Sequence, residues 1–422
     1  MNEHIVIGEG VQWGTTVPLS LSSEDRRHHL YVIGKSGTGK STLLENLIAQ
    51  DIATGRGFAL IDPHGGVADN VLDLIPKNRA DDVVYFDPAD ADFPIGFNVV
   101  SNVPPEQRPL AASGIVSVFK NLWPDSWGPR LEYILYACVA ALLDCQNVSL
   151  LGIPRMLSDE RYRAFVIRQI KDPMVRSFWV NEFEEYDRRY RQEAIAPIQN
   201  KVGQLFMSPH LRNVLGQVRS KIGARFMMDE GRIFIAKLSK GKIGEDKANL
   251  IGALLVSQFQ LAAMARSDTP EDKRRDFHLY VDEFQSFASD SFISILSEAR
   301  KYRLCLTLAH QYTDQLRPGI RDAVFGNVGS LVAFRVGYVD AEVLENSFGK
   351  DFPAERFTSL SNREIYAKLL VNGQDREPIL GRTLPPTGMQ HQRREKLIQL
   401  SCAKYSTPRE KVERRIRDWL GD

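Results

Sequence analysis

The run Gly34-Lys35-Ser36-Gly37-Thr38-Gly39-Lys40-Ser41 fits the spacing G-x-x-x-x-G-K-[ST]. Glycines let successive backbone N–H groups close around phosphate oxygens. Lys40 brings a point charge to the β- and γ-phosphates, and Ser41 offers its hydroxyl to Mg²⁺. Thr42 opens a helix-like run, 42–50, whose N-terminus adds a favourable field. The chemistry predicted is binding of MgATP. A glycine-rich turn with an incidental lysine is the competing reading, and the apolar run 30–33 before the motif and the helical run after it weigh against it.

A second constellation, Phe277-His278-Leu279-Tyr280-Val281-Asp282-Glu283, is an apolar strand ending in two carboxylates. Side chains at the carboxyl end of a strand in an open α/β sheet project into the ligand crevice. There Asp282 is expected to hold Mg²⁺ through water, and Glu283 to orient and polarise the attacking water as general base. Alone, Asp282 reads equally as the cap of a following helix. The apolar run 304–308 leads into Ala309-His310-Gln311, which makes Gln311 the candidate sensor of the γ-phosphate. A glutamine at such a place is otherwise an ordinary loop residue.

These residues need a sheet to hold them. Runs at 30–33, 58–61, 83–86, 233–238, 277–281, 304–308 and 331–336 are rich in β-branched and aromatic residues, and helical patterns such as 249–265 and 292–302 separate the later ones. This is the pattern of a doubly wound, mostly parallel α/β sheet. Between 104 and about 225 the β-rich runs vanish and helical periodicity takes over, as at 131–143 and 159–170, predicting an all-α insertion. The expected organisation is a first ATPase part over 1–103, the insertion over 104–225, a second ATPase part over 226–385 and a C-terminal helical tail over 386–422. Within the last stretches the pattern reads as a helix at 340–348, a strand at 366–371, a Pro/Gly-rich crossing at 378–386 and a charged helix at 409–420.

Composition narrows the class. A chain of 422 residues with 43% hydrophobic and 25% charged residues is neither disordered nor fibrous, and exceeds one ordinary core. Its 54 basic and 53 acidic side chains leave a net charge of +1, so any DNA-binding surface must be local. Cys138, Cys145, Cys305 and Cys402 form no CxxC pair and no zinc spacing, which points to a reducing compartment, the cytoplasm. The first ten residues lack a signal-peptide profile and the apolar run 133–143 is too short to span a bilayer, so no membrane anchor is expected.

The order of motifs resembles the HerA–FtsK superfamily of ATPases, and within it the cytosolic part of type IV secretion coupling proteins. The resemblance rests on the Walker A, on Ile61-Asp62-Pro63-His64-Gly65-Gly66 after the second strand, on a helical insertion before the Walker B, on Ala299-Arg300-Lys301-Tyr302 before the sensor strand, and on Gly326-Asn327-Val328 leading to Phe334-Arg335-Val336-Gly337 and Asp340-Ala341. It implies a RecA-like fold with an all-α insertion domain. It also implies that Asp62 lies near the metal and attacking water, that Gln311 is the sensor, that Arg300 is a finger reaching the ATP of a neighbouring subunit, and that Arg335 is a second arginine candidate. Asp62 before Pro63 equally suits a turn.

The function so implied is a ring, a hexamer, that hydrolyses ATP to move DNA. The insertion would meet DNA or substrate, with Trp123, Trp127, Arg130 and Trp179 its most distinctive residues. Candidate phosphate contacts are Arg317 and Arg321, with Lys237, Lys240, Lys242 and Lys247 competing for that role. Coupling proteins usually begin with a membrane anchor and HerA proteins with a β-barrel, and neither is legible in the first thirty residues. Two alternatives stand beside this reading: a HerA-like motor serving a partner nuclease or defence effector, and a nucleotide-switched module that recruits cargo to a secretion machine.

Overall fold

The computed structural model describes residues 4–12 and 14–421. The chain divides into two compact units. Met1–Phe86, Ala224–Leu238 and Ala262–Ser401 form the first, and Asp87–Gly223, Ser239–Leu261 and Cys402–Asp422 the second.

The first unit is built on strands β1 (His4–Gln12), β2 (Thr15–Ser22), β3 (Leu30–Ile33), β4 (Gly57–Asp62), β5 (Val83–Phe86), β6 (Ile233–Lys237), β7 (Phe277–Val281), β8 (Leu304–His310), β9 (Ser330–Ala333), β10 (Glu364–Lys368), β11 (Leu370–Val371), β12 (Gln374–Asp375) and β13 (Ile379–Thr383). Eleven of them make one sheet in the order β2-β1-β13-β10-β9-β3-β8-β7-β4-β6-β5. From β9 to β5 every pairing is parallel, and from β9 through β10, β13, β1 and β2 every pairing is antiparallel. The fold is therefore a mostly parallel, mixed α/β sheet.

The parallel strands read as unbroken apolar runs because both faces are covered, and every residue of β3, β4, β7 and β8 is buried. On one face Leu30, Val32, Phe58 and Leu60 join Leu43, Leu44, Leu47 and Ile48 of helix Lys40–Ala53 in a single core. Beneath the sheet a buried polar network ties that helix to β7. Arg26 donates to both oxygens of Asp51 at 2.6 and 2.9 Å and to Tyr280 at 2.8 Å, and Tyr280 donates to Asp51 at 2.5 Å. Burial alone would raise the Asp51 carboxyl, but Arg26 outweighs it and holds the group well below the ordinary range.

Two features differ from the sequence pattern. The stretch 378–386 is not only a crossing, because β13 lies in it and pairs with both β10 and β1. Its alternation is hidden by Gly381, which faces Leu19 where a larger side chain would collide. The strand expected at 366–371 divides into β10 and the short β11, whose partner is β12.

In the second unit every element between Pro105 and Leu215 is helical. Trp179 is fully buried against Phe178 and Phe183, Trp123 stacks on Phe119, and Trp127 donates to Glu132 at 2.7 Å. Arg130 lies over the Tyr190 ring. Among the described residues one helix, 245–268, is long and apolar enough to cross a membrane, and 78% of its most apolar window is buried inside the protein.

Candidate nucleotide site at the carboxyl ends of the parallel strands

β3 ends at Ile33, and the phosphate-loop sequence turns straight into helix Lys40–Ala53. The turn is possible because Gly37 and Gly39 take φ of 76° and 120°, the left-handed region that disfavours a Cβ. Lys40 is buried, and its ammonium donates to the carbonyls of Gly34 at 2.5 Å and Lys35 at 3.1 Å, inside the loop it would serve. Burial lowers its pKa, opposed by Glu283 and Asp282. Thr38 closes the loop by donating to Lys35 O at 2.7 Å.

Neighbouring strands clamp this loop from both sides. Gly34 N–H donates to His310 O and Lys35 N–H to Arg335 O, at 3.3 and 2.8 Å. Arg363 N–H donates to Thr38 O at 3.0 Å. Arg363 is a residue that sequence reasoning missed: it holds a left-handed φ of 67° beside Gly39, and its guanidinium donates to Thr383 O at 2.8 Å. A strained, non-glycine backbone has no signature in the letters themselves.

Asp282 follows β7 and is 6% exposed. Burial, then Asp62, then Glu283 push its carboxyl up to about 7, with Lys40 pulling the other way. A buried acid group with too little cation around it is what a divalent ion would relieve, so the residues fit Mg²⁺. Among the described residues no cluster of three His, Cys, Asp or Glu is placed to hold a metal. Mg²⁺ typically takes one or two protein oxygens and completes its shell with water and phosphate. Ser41, exposed at the start of the helix, and Asp282 are the candidates.

Glu283 adopts φ 48°, left-handed for a non-glycine residue, and its N–H donates to Asp282 Oδ1 at 3.1 Å. Both of its oxygens are held. Gln311 donates to Oε1 and Gln285 to Oε2, each at 2.5 Å. Gln311 and Glu283, 28 residues apart in the chain, are thus brought together by the pairing of β7 with β8. Gln285 was not anticipated; its position two residues past the acid pair was the available signal.

Asp62, fully buried at the end of β4, accepts from His64 N–H at 2.8 Å and Gly65 N–H at 2.7 Å through one oxygen and from Ala68 N–H at 2.9 Å through the other. It organises the turn into helix Gly66–Asp73 while remaining close enough to raise the pKa of Asp282.

Beyond Gln311 the loop is anchored by Asp340, which accepts from Thr313 N–H and Oγ1 at 2.7 and 2.8 Å. Arg317 pairs with Asp290 at 3.0 Å and so links the loop after Gln311 to the loop after Glu283. Lys237 is held by both oxygens of Asp69, at 2.8 and 2.7 Å, Arg321 lies 3.7 Å from Asp322, and Lys240 lies 4.0 Å from Glu245.

The two arginine candidates fall at opposite ends of the sheet. Arg335 follows β9 beside the phosphate loop and donates to Leu360 O and Asn362 Oδ1, both at 3.2 Å. Arg300 precedes β8, is exposed, and stands 3.3 Å from His28 at the amino end of β3.

The fold and site together define a P-loop ATPase of the HerA–FtsK type. Residues 5–259 match the family described as Helicase HerA, central domain, and the chain belongs to that family. No curated protein matches it. Among solved structures the chain is similar to the plasmid coupling protein TrwB in complex with the non-hydrolysable ATP analogue ADPNP, at TM-score 0.64 and 16% identity over 92% of this chain and 91% of that one. TrwB with ADP and Mg²⁺ gives a TM-score of 0.62 at 14% identity, covering 91% of each chain. VirB4 of Thermoanaerobacter pseudethanolicus gives 0.55 at 16% identity, over 91% of this chain and 97% of that one. At such identities the likeness speaks for the fold.

Proposed function

We propose that the chain is a cytoplasmic, ring-forming motor, a hexamer, that hydrolyses MgATP to move DNA. The observation that carries this reading is the Glu283 carboxylate, fixed by Gln311 and Gln285 at the end of β7 in a strained backbone. A group so oriented is suited to act as general base on an attacking water. Lys40 and the N–H groups of residues 34–42 would bind the phosphates, and Ser41 and Asp282 would hold Mg²⁺, whose charge would stabilise the transferring phosphoryl group.

Loss of the γ-phosphate would be felt first at Gln311. The Arg317–Asp290 ion pair offers a route by which the loops after β7 and β8 move together, and the loop after β8 carries the candidate DNA contacts Arg317 and Arg321. Arg300, exposed at the far end of the sheet from the phosphate loop, suits a finger acting on a neighbouring subunit, which favours a ring. Asp62 and Arg335 are assigned supporting roles at the metal and at the phosphate loop. The resemblance to coupling proteins makes the helical insertion, 104–225, the domain that would meet DNA or substrate.

The test is ATP turnover with and without single- and double-stranded DNA, with assembly followed by mass. Lys40→Ala should abolish ATP binding, and DNA should stimulate the wild type. ATP hydrolysis that DNA leaves unchanged, in an assembled ring, would favour the cargo-recruiting module.

A further inference from the structure

In the second unit a groove of about 680 Å³ opens between the C-terminal helix Arg409–Leu420 and the segment 216–221. Its floor is aliphatic: Val412 and Ile416 are nearly buried, and Val218 lies at the rim. Its walls carry Lys411 and Arg415 on the helix and Arg219 and Lys221 opposite, all exposed. None of the described lining residues is acidic. Of the helix's three carboxylates, Glu410, Glu413 and Asp418, none lines the groove, and Glu413 is engaged by Arg409 at 2.8 Å and by Asn213 at 3.4 Å. Lys411 and Arg415 are four residues apart on one helix, a like-charge spacing that is unfavourable until an anion lies between them.

We propose that this groove binds an acidic, amphipathic polypeptide segment of a partner protein, carboxylates to the four cations and aliphatic side chains to the floor. Clustered cations recognise acidic motifs in this way. A single nucleic-acid strand would use the cations equally, but it also needs open ring faces for its bases. The groove's one aromatic, Trp419, already has the Arg155 guanidinium 4.6 Å over its ring and Tyr162 edge-on at 5.3 Å. Arg155 also donates to Trp419 O, so this wall is preformed.

The probe is a fluorescein-labelled 14-residue peptide of alternating Glu or Asp with Leu, titrated against the full chain by anisotropy. Its counterpart carries Lys at every acidic position. The acidic peptide should bind at least tenfold more tightly than the basic one. Lys411→Glu with Arg415→Glu should weaken it at least tenfold, and the milder Lys411→Ala with Arg415→Ala severalfold, at unchanged melting temperature. Equal binding of both peptides overturns the proposal, as does undiminished acidic-peptide binding by the folded double variants. If the double variants lose oligo(dT) binding and keep peptide binding, the groove is a nucleic-acid tract and the proposal fails.

Discussion

Gln311 donates from Nε2 to Glu283 Oε1 at 2.5 Å, so the candidate sensor and the candidate base form one hydrogen-bonded pair across adjacent strands. Glu283→Gln should therefore retain ATP and lower kcat by about two orders of magnitude or more. Gln311→Ala, which frees the carboxylate to swing, should cost about a hundredfold in kcat with little change in KM. Gln311→Glu, which sets two carboxylates against one another, should do at least as much harm. Steady-state turnover with a separate nucleotide-binding titration checks all three; normal turnover in Gln311→Ala would dissolve the pair as a functional unit.

Asp62 accepts three backbone N–H groups, so its removal leaves buried donors unpaired. Asp62→Ala should destabilise the protein by about 3 kcal/mol or more, and Asp62→Asn by less, since one acceptor oxygen remains. Unfolding by urea measures this. A role near the metal would add a kcat loss in Asp62→Asn out of proportion to its stability; a loss that merely tracks unfolding would confine Asp62 to the turn.

Much of this site was legible because its chemistry is local. Eight residues of one loop and two at one strand end carry their own signature, and the apolar parallel strands are unbroken enough to find by eye. What joins those pieces is long-range. The pairing of Asp51 with Tyr280, braced by Arg26, spans 229 residues and fastens the phosphate-binding helix to β7, yet no spacing in the chain announces it. Arg363 escapes for a different reason, since its importance lies in its backbone angle and its contact with Thr38 rather than in its side chain type. The sheet's antiparallel edge was hidden likewise: β1 and β13 meet only because glycines at 8 and 381 leave room between strands far apart in sequence. Segments 239–261 and 402–422 group with the second compact unit for the same kind of reason, one of contact and not of pattern.

Burial drives three histidines of the first unit down from 6.5, His29 and His310 to about 4 and His278 to about 3. They are neutral in the folded protein, and His29 Nδ1 accepts from Leu306 N–H at 3.2 Å. The sign follows from linkage. Their folded pKa is depressed, so below about 6.5 the unfolded chain takes up protons that the folded chain refuses. Stability is fully present above that pH and falls as pH drops toward the folded values, by at most about 1.4 kcal/mol per pH unit for each histidine. Among the described residues His278 makes no hydrogen bond through either ring nitrogen. His278→Leu should therefore flatten the decline of melting temperature between pH 6.5 and 5 without an offsetting loss at pH 7.5. An unchanged slope would mean that His278 takes up its proton in the folded chain as readily as in the unfolded one.

Arg300 supplies the last prediction. It stands before the first residue of β8, and Gln311 stands after the last; a seven-residue strand at about 3.3 Å per residue separates them by roughly 23 Å. No arginine side chain spans that distance, so Arg300 cannot serve its own phosphate loop, whereas its exposure leaves it free to serve another copy's. Among the described residues the polar side chain it meets is His28, which does not neutralise it. Arg300→Ala should leave folding and ATP binding intact while lowering hydrolysis about a thousandfold, the scale of fingers supplied in trans. Lysine should rescue poorly, because a point charge does not replace a planar fork of donors. Mixing makes the test decisive. Arg300→Ala keeps its Glu283 and Glu283→Gln keeps its Arg300, so a mixed ring contains interfaces where an intact base meets an intact finger, and activity should reappear from two nearly inactive proteins. Mixtures that exchange subunits and stay inactive, or an Arg300→Ala monomer that hydrolyses ATP normally, would falsify the shared site and with it the main chemical argument for a ring.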